Sequence, residues 1–264
     1  MIGRRKFLTF LTLFGFAKTR ESNTPCAVWP EAKSPCLVPA VSPIPEPDPS
    51  EVLQEARKLA ASGHFEDALK KHIWYHENSL RIQPAQVGVR LSFALSYWQE
   101  LGEKYPKARA ALLEIQQKNR NSIELGQCDF SVFQEIAGID RHLGDQSGTV
   151  ESFRKLREID ATLAAKCYDL AEKALVAQKA YAECLEFLVD PMVNLQRIVN
   201  FREKLRNGVA TNQAREKAAD AIFTERASRL ITILAQGGKL ADAEKILAAA
   251  LLTLDNDTIR NAGK

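Results

Sequence analysis

The block Gly63-His64-Phe65-Glu66-Asp67-Ala68-Leu69 constrains this chain more than any other stretch. A glycine is followed at once by an aromatic residue, an acidic pair and a small residue. Glycine accepts the left-handed conformation that closes a helix. Acidic side chains suit the first turn of the helix that follows. Alanine lets two helix backbones approach closely. One helix must therefore end near Ser62-Gly63, and a second must fold back against it. Upstream, Val52, Leu53, Ala56, Leu59 and Ala60 form one helical stripe. Asp48 or Ser50 is its expected cap, with Glu51 in the first turn. Downstream, Phe65, Ala68, Leu69, His72, Ile73, Tyr75 and His76 form a second stripe, which Pro84 closes.

Weaker copies of this unit recur. Phe93 to Trp98, then Leu101-Gly102, precede Tyr105 and Ala108. Ile136, Ala137 and Ile139 precede Leu143-Gly144-Asp145, then Val150, Phe153 and Leu156. Cys167, Leu170, Ala171, Ala174 and Leu175 precede Tyr181, Cys184, Leu185 and Leu188. Leu230, Ile231, Ile233 and Leu234 precede Gly237-Gly238, then Leu240, Ala243 and Leu247. Aligned on the small residue of the second helix, the anchors are positions 68, 108, 149, 184 and 243, with steps of 40, 41, 35 and 59. The long last step contains residues 192–225, which read as an extra helix pair around Asn207-Gly208. From about residue 50 onward, glycine and proline are scarce and strong helix formers dominate. The fold class expected is all-α.

The blocks Gly63–Leu80 and Val87–Ala108, with Trp98-x-x-Leu101-Gly102 inside the second, resemble uncharacterised bacterial proteins that contain tetratricopeptide repeats (TPR). The resemblance covers most of residues 50–255. It implies an irregular TPR-like α-α superhelix of stacked hairpins. A regular array of this kind steps by about 34 residues, so the longer steps here imply extended helices or loops and one interruption. An irregular bundle of helical hairpins would give the same periodicity. The positions expected to pack the repeats are Gly63, Phe65, Ala68, Gly102, Ala108, Gly144, Tyr181, Cys184, Gly238 and Ala243. The helical domain is expected over 51–258, with 259–264 as a tail. The resemblance brings no catalytic residue and no assigned partner.

The chain begins Met1-Ile2-Gly3-Arg4-Arg5-Lys6-Phe7-Leu8. Arg4, Arg5, Phe7 and Leu8 stand as in the core of a twin-arginine export signal, which residues 1–17 resemble. The apolar run Phe7–Ala17 is 11 residues long, too short to span a bilayer core of roughly 30 Å as a helix but suited to a signal segment. No stable membrane span is expected. Export to the periplasm or cell envelope is expected; the alternative is a cytoplasmic protein with a basic, apolar tail. Asn23-Thr24-Pro25 before Cys26 is not a lipid-attachment pattern. Residues 18–50 read as a linker. They carry Pro25, Pro30, Pro35, Pro39, Pro43, Pro45, Pro47 and Pro49, which exclude helix and sheet and favour an extended spacer.

Little in the sequence points to chemistry. His72 and His76 share a helix face, and His64 precedes them in the turn, so a metal site and simple packing both fit. Packing is preferred, because these positions face neighbouring helices. Cys26, Cys36, Cys128, Cys167 and Cys184 show no CxxC spacing. Cys167 and Cys184 are expected to be buried free thiols, while Cys26 and Cys36 could pair in an oxidising compartment. No phosphate-binding, nucleophile-elbow or dinucleotide fingerprint occurs. With 36 basic against 33 acidic residues, the charge is too even to indicate nucleic-acid binding. No catalytic residue, metal or cofactor is expected.

The function expected is non-catalytic capture of a peptide or protein. Trp74, Phe93, Tyr97 and Trp98 are candidate anchors wherever they are exposed, and Arg81, Arg90, Lys104, Lys107 and Arg109 lie nearby. The alternatives are a fixed accessory subunit of an envelope complex and a cytosolic adaptor. No partner-binding residue is assigned.

Overall fold

The structure, a computed structural model, describes residues 46–207 and 213–264. The chain divides into residues 1–45 and 46–264, and all described residues belong to the second unit. Arg4, Arg5, Phe7, Leu8, Cys26, Cys36 and most of the expected linker therefore lie outside the described residues, as does Gly208.

Every regular element among the described residues is a helix. The α-helices are α1 (Pro49–Ala61), α2 (Phe65–Ile82), α3 (Val87–Arg90), α4 (Phe93–Lys104), α5 (Pro106–Glu124), α6 (Phe130–Leu143) and α7 (Gln146–Ile159). They continue as α8 (Ala161–Ala177), α9 (Tyr181–Leu185), α10 (Pro191–Arg206), α11 (Gln213–Gln236), α12 (Leu240–Thr253) and α13 (Asp257–Arg260). A 3-10 turn at Pro84–Gln86 joins α2 to α3.

Aspartates start many of these helices. Asp48 accepts from the Ser50 amide at 2.7 Å, and Pro49 occupies the first helical position. The helix thus begins inside the segment expected as linker, because this Asp-Pro pair is itself a helix start. Asp129, Asp145 and Asp160 each cap an amide three residues on, at 2.9 Å. Asp190 caps Met192 and Val193.

The helix ends share one device. The amides of His64, Gln127, Asp145, Ala180 and Lys239 each return to the carbonyl five residues back, between 2.7 and 2.9 Å. The residue just before each of these has positive φ, and in four cases it is glycine. Such a bond demands a left-handed residue. The exception is Lys179, at φ 58°. A side chain in this region costs roughly 1–2 kcal/mol. Lys179→Gly is accordingly expected to raise stability by about 1 kcal/mol, and Gly144→Ala, at φ 73°, to lower it by about the same amount. Urea midpoints of the two variants check both signs.

Helices pair with their chain neighbours: α1 with α2, α4 with α5, α6 with α7, α8 with α9, and α11 with α12. The first helices also touch in series, α1 to α4, α4 to α6, α6 to α8 and α8 to α11. The core follows this order rather than gathering at one centre. Trp98, Leu101 and Leu112 pack with Ala68 and Ala108; Phe133, Phe153 and Tyr168 with Cys167 and Cys184; Phe223, Leu230 and Ile246 with Ala243. The anchors Ala68, Ala108, Thr149, Cys184 and Ala243 are all buried. Phe65 is half-buried and stacks on Tyr105 with ring centroids 6.0 Å apart. Tyr181 is half-buried at the start of α9. Gly102 lies within α4, where a Cβ would stand 3.2 Å from that of Arg109. Gly63, Gly144 and Gly238 occupy the left-handed turn positions.

Two further boundaries differ from expectation. The expected second helix of the interruption and the first helix of the last unit are one helix, α11, because no glycine or proline breaks residues 213–236. Residues 259–264 are not a free tail. Ile259 is fully buried, Ala262 packs on the same cluster, and Gln236 donates to the Gly263 carbonyl at 3.2 Å.

Candidate functional site

The three histidines singled out by spacing do not converge. His64 Nδ1 lies 2.9 Å from the Ser62 hydroxyl in the turn. His76 Nε2 lies 2.7 Å from a Glu135 carboxylate oxygen. His72 is buried, with both ring nitrogens unpartnered among the described residues and its ring 5.6 Å from that of Trp98. No group of three His, Cys, Asp or Glu side chains is arranged to hold a metal among the described residues.

Burial without a partner holds the His72 imidazole down at about 4, against an ordinary 6.5. Between these values the native state binds fewer protons than the unfolded chain. The stability contribution is full above pH 6.5 and is lost as the pH falls through 4, a loss of about 3 kcal/mol. An NMR titration of the His72 ring is expected to show a midpoint near 4, and His72→Leu is expected to flatten this part of the stability profile.

Two buried charge clusters lock successive pairs. Arg90 donates to the His76 carbonyl and to Glu135, both at 2.8 Å, tying α2, α3 and α6. Asp140, fully buried, accepts from Gln116 at 2.6 Å, Arg120 at 2.9 Å and Thr149 at 2.8 Å. Arg120 also reaches the capping residue Asp145 at 2.7 Å. These clusters join helices that are distant in sequence.

The cysteines Cys128, Cys167 and Cys184 are free thiols. Burial pushes them up to about 11, 12 and 11 respectively, so at neutral pH they are not nucleophilic thiolates.

Among the described residues, two open clefts lie along the series of first helices. One, of about 200 Å3, lies between α1, α2 and α4, with His72 in its wall and Arg57, Tyr97, Glu100 and Lys104 around it. The Arg57 guanidinium sits 4.1 Å above the Tyr97 ring. A second, of about 280 Å3, lies between α8, α10 and α11 and is lined by Tyr168, Asn194, Arg197, Phe201 and Arg226. Of the basic residues noted in the sequence, Lys104 reaches the first cleft, and Arg109 lines a smaller hollow beside Gly102. Arg81 pairs with Glu46, Lys107 with Glu66, and Arg90 is buried. Of the aromatic candidates, Trp98 is core and Phe93 is exposed. The second cleft was not legible from motifs. Its one sequence signal is the break in repeat spacing that α10 fills.

No protein family, curated protein or solved structure matches this chain.

Proposed function

We propose that the chain is a non-catalytic interaction scaffold of TPR type, which captures a peptide or protein along the face formed by α1, α4, α6, α8 and α11. The observation that carries this reading is the lining of the two clefts on that series. Arg57, Tyr97 and Lys104 surround one, and Asn194, Arg197 and Arg226 the other. Exposed cations beside aromatic rings bind extended chains through charge and through rigid apolar surface. Stacked hairpins present such a face as a continuous surface.

A second reading, a fixed accessory subunit, is favoured by one observation. Val189, Met192 and Val193 are exposed together at the start of α10, and contiguous exposed apolar residues mark lasting contacts.

Crosslinked capture by the tagged full-length protein separates the two. Arg57→Glu with Lys104→Glu is expected to reduce recovery of a specific partner about tenfold under the first reading. Val189→Ser with Val193→Ser would do so under the second. Equal recovery from both variants and the parent protein removes both.

The twin-arginine resemblance of residues 1–17 supports an envelope location. No helix among the described residues is long and apolar enough to cross a membrane. A reporter fused behind residues 1–40 is expected in the periplasm, with retention dependent on changing Arg4 and Arg5 to Lys. A reporter that stays in the cytoplasm returns the scaffold to the cytosolic adaptor.

A further inference from the structure

The seam between the first hairpin and α4 is built differently from the seam around α7. There, Phe133 of α6, Tyr168 of α8 and Phe187 all lie against Phe153 of α7, with ring centroids 5.4 to 6.4 Å away. Where α2 meets α4, a histidine takes the place of such a ring. His72 is 1% exposed and lies 5.6 Å from Trp98, ring to ring. Both of its nitrogens are buried without a partner among the described residues. The titratable and charged groups around it supply none. From α1 comes Arg57, which sits over the Tyr97 ring. From α4 come Tyr97, Glu100 and Lys104, along the cleft that His72 walls. On α2 itself, His76 meets Glu135 of α6 and Arg90 of α3.

A second proton on the His72 imidazole is opposed while the hairpin is docked. It would make a buried cation with no acceptor, beside Arg57 and Lys104 and near the single carboxylate of Glu100. Once α2 leaves α4, the ring meets water and takes that proton at its ordinary value. Acid therefore favours separation of the two helices, and neutral pH favours contact.

The connection permits such a movement. Gln83 (φ −138°, ψ 91°) and the 3-10 turn Pro84–Gln86 separate α2 from α3. α1 packs chiefly on α2, so the hairpin keeps its own contact. Opening breaks the bonds of His76 to Glu135 and Arg90, but Arg90 and Glu135 keep their own pair at 2.8 Å, so no charge is stranded.

We propose that the α1–α2 hairpin is an acid-released arm, which undocks from α4 as a unit about the Gln83–Gln86 turn while α4 onward stays folded. Undocking carries Arg57 away from Tyr97 and Lys104, so it dismantles the first cleft. The device does not rest on partner capture, and its test involves no partner.

Native-state hydrogen exchange of the full-length protein, corrected for intrinsic rates, is the test. Between pH 7 and pH 5, the amides of α1 and α2 are expected to lose about twentyfold in protection, from one proton bound at 6.5 in the open arm and at about 4 in the docked one. The amides of α8 and α11 are expected to keep theirs. His72→Leu, which takes no proton, is expected to abolish the loss. Should that variant fail to fold, the parent protein alone decides, because α1 and α2 are compared with α8 and α11 in one molecule. The proposal is overturned if all these helices lose protection together, if α1 and α2 keep theirs at pH 5, or if His72→Leu loses as much as the parent.

Discussion

Glu135→Ala is expected to lower stability by about 3–5 kcal/mol, because it leaves the buried Arg90 without its counter-charge. The two side chains are 10% and 15% exposed and meet at 2.8 Å. His76 adds a second bond to the same carboxylate at 2.7 Å. Replacing both ends with apolar residues of similar size, Arg90→Met with Glu135→Leu, is expected to restore most of the loss, since no charge is then stranded. Urea midpoints of the single and double variants measure this directly. A double variant no more stable than Glu135→Ala would show that the charges themselves, and not the stranded partner, hold α3 against α6.

The same group sets a pH window. Burial opposes ionisation of Glu135, but the bonds and charges of His76 and Arg90 outweigh it and hold the carboxyl at about 2, below its ordinary 4.5. The native state therefore binds fewer protons than the unfolded chain between these values. The stabilisation is present above pH 4.5 and is lost as the pH falls through 2, at a cost of about 3 kcal/mol. The His72 window lies above it, between 6.5 and 4. Acid should thus weaken the protein in two successive stages, and each single variant should remove one of them.

Trp98→Ala is the other substitution with a large expected effect, a loss of about 3–5 kcal/mol. Trp98 is 1% exposed, and its Nε1–H donates to the Ala108 carbonyl at 2.8 Å. It sits 5.6 Å from His72 and 5.8 Å from His76, ring to ring, so it fills the junction between the first two hairpins. Removal opens a cavity and takes a second donor from the Ala108 carbonyl at once. Trp98→Phe retains a ring and loses the donor, and is expected to cost less than half as much. Thermal melting distinguishes them. A Trp98→Ala protein that melts with the parent would mean that the first two hairpins do not depend on this contact.

Much of the helical framework is local in origin and could be read residue by residue. Asp48-Pro49 starts a helix because a carboxylate can reach the next free amides and a fixed φ suits the first turn. Gly63, Gly144 and Gly238 stop helices because the closing bond needs a left-handed residue. Ala68, Ala108 and Ala243 mark crossings because only a small side chain lets two helices meet. Each of these effects acts within about one turn of chain. A single sequence therefore carries it, and the all-α class follows.

The rest depends on residues distant in sequence that meet only when the chain is folded. Lys179 takes the left-handed position usual for glycine because the packing of α8 on α9 demands a turn there. Arg90 and Glu135 are 45 residues apart, and no local pattern pairs them. His72 and His76 share a helix face and both lie against Trp98, yet the ring nitrogens of one find no partner and the other meets a carboxylate from α6. The cleft of Tyr168, Arg197 and Arg226 takes its walls from three helices. Spacing along the chain reports helix ends and faces, because backbone hydrogen bonds are short-range. Which buried donor finds an acceptor, and which is left without one, is settled when separate helices pack and exclude water.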